Sequence, residues 1–194
     1  MHNDIQLPIP DRSTAGQWLS QEIHNQFVNR MPVVLALPRG GVPVAYEIAK
    51  ELHAPLDLIL VRKLGAPQFP ELAMGAIASG GVEILNQSVI QSYQIQQDDI
   101  NKVKMHELQE LSRREKAYKG NTPPTPLTGK DIIIVDDGLA TGYTMLVAIK
   151  AVKSQKPKSI TVAVPVAPVE TLQRIAKEVD QLICLFQPSN FSAI

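Results

Sequence analysis

Five short runs of Val, Ile and Leu recur along the chain, at residues 33–37, 58–61, 132–135, 160–164 and 182–186, without polar alternation. Unbroken apolar runs of that length suit strands buried on both faces of a parallel sheet. Segments of helical period lie between them: 42–52 after the first run, 141–154 after the third and 169–179 after the fourth. In the middle segment Met145, Ala148, Ile149 and Val152 fall on one face. Strand–helix–strand repetition at these lengths predicts right-handed βαβ units and an α/β fold.

Two stretches break the rhythm. Residues 64–86 predict a loop followed by a β-hairpin that turns near Gly80-Gly81. Residues 98–118 predict a long polar helix, in which Ile100, Val103, Leu108 and Leu111 form a narrow stripe for packing on one side. Residues 121–127, NTPPTPL, read as a connector inside one domain, and Trp18 as packing on an N-terminal helix. A length of 194 residues fits a single domain over 1–194.

Lys plus Arg and Asp plus Glu number 19 each, so the formal net charge is zero. General nucleic-acid binding, which draws its affinity from phosphate neutralisation, is therefore not expected. Any bound anion must be held locally by a few groups. Cys184 is the sole cysteine, which excludes an internal disulfide, and its apolar run makes it a small buried hydrophobe. His2, His24, His53 and His106 have no partners at metal-ligand spacing. The N-terminus lacks a signal-peptide core and no stretch is apolar enough to span a membrane, so a cytoplasmic location is expected.

The chemistry concentrates in residues 132–144, IIIVDDGLATGYT. An apolar strand delivers Asp136 and Asp137 to its C-terminal end, where ligands sit in open parallel sheets. The turn that follows offers backbone amides at a helix N-terminus, with hydroxyls from Thr141 and Thr144, and Gly138 and Gly142 allow close approach. A phosphorylated sugar meets both demands: phosphate on the amides, ring hydroxyls on the acids. The spacings of a nucleoside-triphosphate loop and of a dinucleotide fold are absent. The simpler alternative is a turn at Asp137-Gly138 and a helix cap at Thr141. Earlier in the chain, Leu37-Pro38-Arg39-Gly40-Gly41 joins a strand to a helix, and Arg39 can grip two phosphate oxygens. An ordinary glycine turn with a solvated Arg is the alternative there, and a solvated pair is the alternative for Arg62 and Lys63.

Residues 132–144 resemble the 5-phosphoribosyl 1-pyrophosphate (PRPP) signature of type I phosphoribosyltransferases: an apolar run, two acids and a loop ending Thr-Gly-x-Thr. The resemblance implies a Rossmann-like parallel-sheet core over about 30–165, with flanking helices, a β-hairpin lid and a small hood from 1–29 and 166–194. It implies that Asp136 and Asp137 hold the ribose 2′- and 3′-hydroxyls, while Gly138, Leu139, Ala140, Thr141, Gly142, Tyr143 and Thr144 wrap the 5-phosphate. Pro38–Gly41 is similar to the family's pyrophosphate loop, often built with a cis peptide, so Arg39, Gly40 and Gly41 would bind pyrophosphate, joined by Arg62 and Lys63. Val61-Arg62-Lys63 resembles adenine phosphoribosyltransferases, where a mobile lid with a catalytic glutamate follows. Residues 65–74 would be that lid and Glu71 its acid, making Asp136, Asp137, Lys63 and Glu71 the catalytic set. Ala140 stands where 6-oxopurine enzymes carry Asp, which leans the loop toward the adenine class.

The segments DRSTAG at 11–16, ALPRGGVPVA at 36–45, VRKLGAP at 61–67, ELAMG at 71–75 and VDDGLATG at 135–142 extend the resemblance nearly end to end, to a bacterial phosphoribosyltransferase family. Its members commonly continue past Phe-x-Ala with an aromatic, acidic tail, so part of the hood is expected to be missing after Ile194. Phe186 or Phe191 would stack on the acceptor base, although each suits a core. The resemblance implies displacement of pyrophosphate from PRPP by a nucleobase-like nitrogen, with Mg2+ bound through PRPP and Asp136 and Asp137, in a homodimer. The alternative is a non-catalytic PRPP- or nucleotide-binding regulatory module.

Overall fold

The computed structural model describes residues 9–188. Along the chain run α1 (Arg12–His24), β1 (Val33–Ala36), α2 (Gly41–Glu51), β2 (Leu56–Leu58), β3 (Val61–Ala66), β4 (Phe69–Ala78) and β5 (Glu83–Leu85). They are followed by α3 (Gln87–Ser92), α4 (Gln97–Lys119), β6 (Asp131–Val135), α5 (Tyr143–Ser154), β7 (Ser159–Val166), α6 (Val169–Ala176) and β8 (Gln181–Phe186). They fall into two compact units.

The first unit takes the described residues of Met1–Ile59, Pro126–Gly142 and Gln155–Ile194. Its sheet has the order β2-β1-β6-β7-β8, with every neighbouring pair parallel. The expectation of apolar strands buried on both faces holds best at the centre, where β1 and β6 are buried at every position. Helix α1 starts because Asp11 caps it, its carboxylate accepting from the Thr14 amide at 2.7 Å. It then lies close on α2: a methyl group at Gly16 would fall 2.7 Å from the Val44 carbonyl oxygen. Leu19 and Ile23 of α1, Val44 and Ile48 of α2 and Ile133 and Val135 of β6 form one buried cluster.

The second unit comprises Leu60–Thr125 and Tyr143–Ser154. Its antiparallel sheet has the order β3-β4-β5. Leu64 and Met74, Ile77 and Ile100 form its core, with Val103 and Leu108 of α4 packed against them. The narrow stripe expected of the polar helix is thus its inward face. In α5, Met145, Ala148, Ile149 and Val152 are all buried, as their spacing predicts.

Several boundaries differ from the sequence expectation. The run 58–61 is not one strand: Leu58 ends β2 in the parallel sheet and Val61 opens β3 in the antiparallel one. Its apolar content reflects Ile59 and Leu60, both buried in the connection itself. Residues 64–74 form no long loop: all but the turn at Pro67-Gln68 belong to the paired strands β3 and β4. The turn at Gly80-Gly81 occurs as expected, with φ of 84° and 77°, closed by an Ala78 amide to Val82 carbonyl bond of 2.8 Å. The middle helical segment begins at Tyr143, two residues later than its pattern suggested. The short α3, capped by the Asn86 side chain on the Val89 amide at 3.3 Å, was not expected. Among the described residues no helix is long and apolar enough to cross a membrane.

Candidate active site

Strands β1 and β6 run side by side with Ala36 opposite Val135, and the Leu37 amide donates to the Val135 carbonyl at 2.9 Å. That register brings together the two loops that leave their carboxyl ends. The Pro38–Arg39 peptide is cis. A methyl group at Gly40 would lie 1.9 Å from Asp137 Oδ2, and one at Gly41 would lie 2.9 Å from the Asp136 Cα. Both glycines are therefore required by close approach of the acidic pair. Arg39 stays exposed, with no ion-pair partner among the described residues.

The two carboxylates differ. Burial pushes Asp136 up to about 8, and the adjacent Asp137 charge works in the same direction, against the hydrogen bond from the Asp137 amide. That amide donates to Asp136 Oδ1 at 2.9 Å. Asp137 instead meets Arg12, whose Nε donates to Oδ2 at 2.7 Å with Nη2 at the same distance. One acid of the pair therefore keeps its proton near neutrality, while the other has a cation beside it. Together they present a donor and acceptors to vicinal hydroxyls.

Residues 138–142 form the bend beyond them. Leu139 is buried and its amide donates to the Val166 carbonyl at 2.9 Å, which pins the loop to the end of β7. From α6, Thr171 Oγ1 donates to the Ala140 carbonyl at 2.7 Å, and Arg174 donates to the Thr141 carbonyl. Two of the bend's carbonyls are thus occupied. The amides of Gly138, Ala140, Thr141 and Gly142 donate to no acceptor among the described residues. Ala140, Thr141, Tyr143 and Thr144 are exposed. Gly142 has φ 70°, and a methyl group there would fall 2.7 Å from Thr171 Cγ2. Free amides in such a bend suit an anion.

Arg12, Thr171 and Arg174 contact the candidate site and were not singled out by motif reading. Arg12 was visible only as part of the segment 11–16, directly after a helix-capping Asp. Thr171 and Arg174 carried no local signal, because their contacts span about thirty residues of chain: 171 to 140 and 174 to 141. Beside Asp137 lies a cavity of about 230 Å3 lined by Ile9, Asp11, Arg12, Ala15, Asp137, Pro165 and Val166. Phe186, half-buried at the end of β8, does not line it, and Phe191 lies outside the described residues.

In the second unit Lys63 Nζ is 3.2 Å from Glu71 Oε2, and the Glu71 side chain is 99% exposed. Arg62 turns the other way, as adjacent strand residues do, and its Nη2 lies 2.6 Å from Glu107 of α4. The two cations expected to act together thus point to different faces of β3, and Arg62 already has a structural partner. Among the described residues no group of three or more His, Cys, Asp or Glu could hold a metal. Asp136 and Asp137 offer hard oxygen donors that suit a cation keeping its waters and substrate oxygens, not one caged by protein alone.

The phosphoribosyl transferase domain model matches residues 8–192. A protein of Mycobacterium tuberculosis (strain H37Rv), assigned provisionally by name to the phosphoribosyl transferases, is 42% identical over 184 residues, covering 95% of this chain and 41% of that protein. The chain therefore spans about two fifths of the length of that relative. The crystal structure of TT1426 from Thermus thermophilus is similar at a TM-score of 0.79 and 36% identity, over 94% of this chain and 86% of that one. A hypoxanthine-guanine phosphoribosyltransferase from Bacillus anthracis shares the fold at 13% identity and a TM-score of 0.51, over 97% of this chain and 86% of the other. With its paired acids and open-amide bend at the carboxyl end of a parallel sheet, the chain belongs to the phosphoribosyl transferase domain family.

Proposed function

We propose that the chain transfers a phosphoribosyl group from PRPP to a nitrogenous acceptor of the nucleobase class and releases pyrophosphate. The observation that supports this reading is the bend at 138–142, directly after an acid pair, with four amides that have no partner among the described residues. The amides, with the Thr141 and Thr144 hydroxyls, take the 5-phosphate. Asp136 and Asp137 take the ribose hydroxyls. Arg39 and the backbone at Gly40 and Gly41 take the pyrophosphate.

The reaction breaks the bond between the anomeric carbon and the pyrophosphate oxygen, and the electron pair leaves with pyrophosphate. The acceptor nitrogen forms the new bond and loses its proton to solvent or a nearby base. Positive charge grows on the sugar as the bond breaks, and the carboxylate of Asp137 stabilises it. Magnesium, bound by substrate oxygens with Asp136 and Asp137, would neutralise the departing pyrophosphate. Lys63 and Glu71 have catalytic parts in this reading, Lys63 as a cation for pyrophosphate and Glu71 as the acid of the β3–β4 hairpin. The reading further places the activity in a cytoplasmic homodimer acting on small molecules.

Calorimetric titration of PRPP with magnesium, followed by pyrophosphate release over a panel of bases, tests the proposal. Saturable PRPP binding that weakens in Arg39→Ala and Asp137→Asn, with release for at least one base, is expected. Binding without release for any acceptor would turn the reading to a regulatory PRPP-binding module. No binding at all would abandon it.

A further inference from the structure

Two restraints hold the Asp137 carboxylate in one orientation. It lies over Gly40, where a methyl group would come within 1.9 Å of Oδ2, 2.3 Å of Cγ and 2.6 Å of Oδ1. Arg12 supplies the second restraint, with Nε and Nη2 each 2.7 Å from Oδ2. Both Arg12 contacts thus fall on the same oxygen. Oδ1 accepts no hydrogen bond among the described residues.

Arg12 is itself fixed by the start of α1. Asp11 caps the helix through the Thr14 amide at 2.7 Å, and Gly16 lets α1 lie against Val44. The first residue of the helix thereby reaches a carboxylate 125 positions away. The cavity that these groups line holds two carboxylates, Asp11 and Asp137, against one guanidinium, with Ile9, Ala15, Pro165 and Val166 as apolar walls. Asp11 Oδ1 is committed to its helix cap and Asp137 Oδ2 to Arg12. An acceptor-rich lining suits hydroxyl donors, and Asp137 Oδ1 has the capacity to take one.

Resting on the phosphoribosyl-transfer reading, we infer that Arg12 is a positioning residue: it grips Oδ2 of Asp137 and so presents Oδ1 to a hydroxyl of the ribose. The guanidinium touches no reacting atom in this role and acts through the carboxylate. Its planar N–H groups have fixed directions, so they restrain a carboxylate more than a compact ammonium does. The rotamer freedom of Asp137 is then lost on folding and not on ligand binding, which favours affinity.

Ribose 5-phosphate and its 2-deoxy and 3-deoxy analogues, titrated calorimetrically into the full chain, test the role. Wild type should bind ribose 5-phosphate at least about tenfold more tightly than one of the analogues. Arg12→Ala should bring that ratio to within about twofold of one, and Arg12→Lys should restore part of it. In an Asp137→Asn background, Arg12→Ala should change ribose 5-phosphate affinity by less than about twofold, because the carboxylate that Arg12 orients is gone. The Arg12 side chain is 58% exposed and the Asp11 cap stays in every variant, so each should fold, which a melting curve checks. A merely structural Arg12 would weaken all three sugars together and leave the ratio as in wild type. A wild-type ratio near one, a ratio that survives Arg12→Ala, or losses from the two substitutions that simply add would overturn the role of Arg12 while leaving the phosphoribosyl reading in place. No binding of ribose 5-phosphate to wild type would overturn both.

Discussion

Gly40 abuts Asp137 so closely that a single methyl group added to it would lie 1.9 Å from Oδ2 of that carboxylate. The backbone would not object, since Gly40 has φ −63° and ψ −36°, ordinary helical values. In Gly40→Ala the Asp137 side chain must therefore turn away and leave Arg12. We expect a melting temperature within about 2 °C of wild type, with PRPP affinity lowered at least about tenfold. Unchanged affinity by calorimetry would remove Asp137 from the ligand site.

Gly142 faces a different obstacle. Its φ of 70° disfavours any side chain, and Thr171 Cγ2 would stand 2.7 Å from a new methyl group. Gly142→Ala should cost about 1–2 kcal/mol in urea unfolding and weaken phosphate binding with it. A variant as stable as wild type would mean that the bend relaxes freely.

The raised pKa of Asp136 gives stability a pH dependence of known sign. Folding favours the neutral carboxyl, so its contribution is complete below about 4, where the unfolded chain is also protonated, and is lost as pH rises through about 8. In magnesium-free buffer, Asp136→Asn should hold its melting temperature better than wild type between pH 6 and pH 9, by about 2 °C or more at the alkaline end. Parallel melting curves for the two proteins would contradict the burial argument.

Arg62 and Glu107 pair at 2.6 Å with side chains only 27% and 14% exposed. Glu107→Gln leaves a half-buried guanidinium short of its counter-charge and should destabilise by about 1–3 kcal/mol in a denaturant titration. No loss would place the pair among ornamental surface contacts.

The pair of Lys63 and Glu71 should behave in the opposite way. Exposed ion pairs contribute little to stability, so Glu71→Gln should shift unfolding by less than about 0.5 kcal/mol. If Glu71 is the hairpin's acid, pyrophosphate release should still fall at least about tenfold. Wild-type turnover in that variant would strip Glu71 of its catalytic part.

What the sequence disclosed was local. The unbroken apolar runs of β1 and β6 reported burial on both faces, and the Asp-Asp-Gly-x-x-Thr-Gly order reported a strand end followed by a bend before a helix. Both depend on neighbours in the chain. The run 58–61 misled because hydrophobicity reports burial and not pairing, and Ile59 and Leu60 are buried while connecting two sheets. Arg12 was illegible as a site residue because its partner lies 125 positions away. The raised pKa of Asp136 was also hidden, since it arises from burial.

Cys184 offers an experimental opening. It is half-buried, its thiol donating to the Phe186 carbonyl at 3.2 Å, and burial raises it to about 11. At pH 7 to 8 almost no thiolate is present, so maleimide reagents should pass it by. A cysteine introduced at exposed Gln68, in the β3–β4 turn, would then be the sole site to take a dye. One substitution in an otherwise native background thus gives a fluorescent reporter of that hairpin.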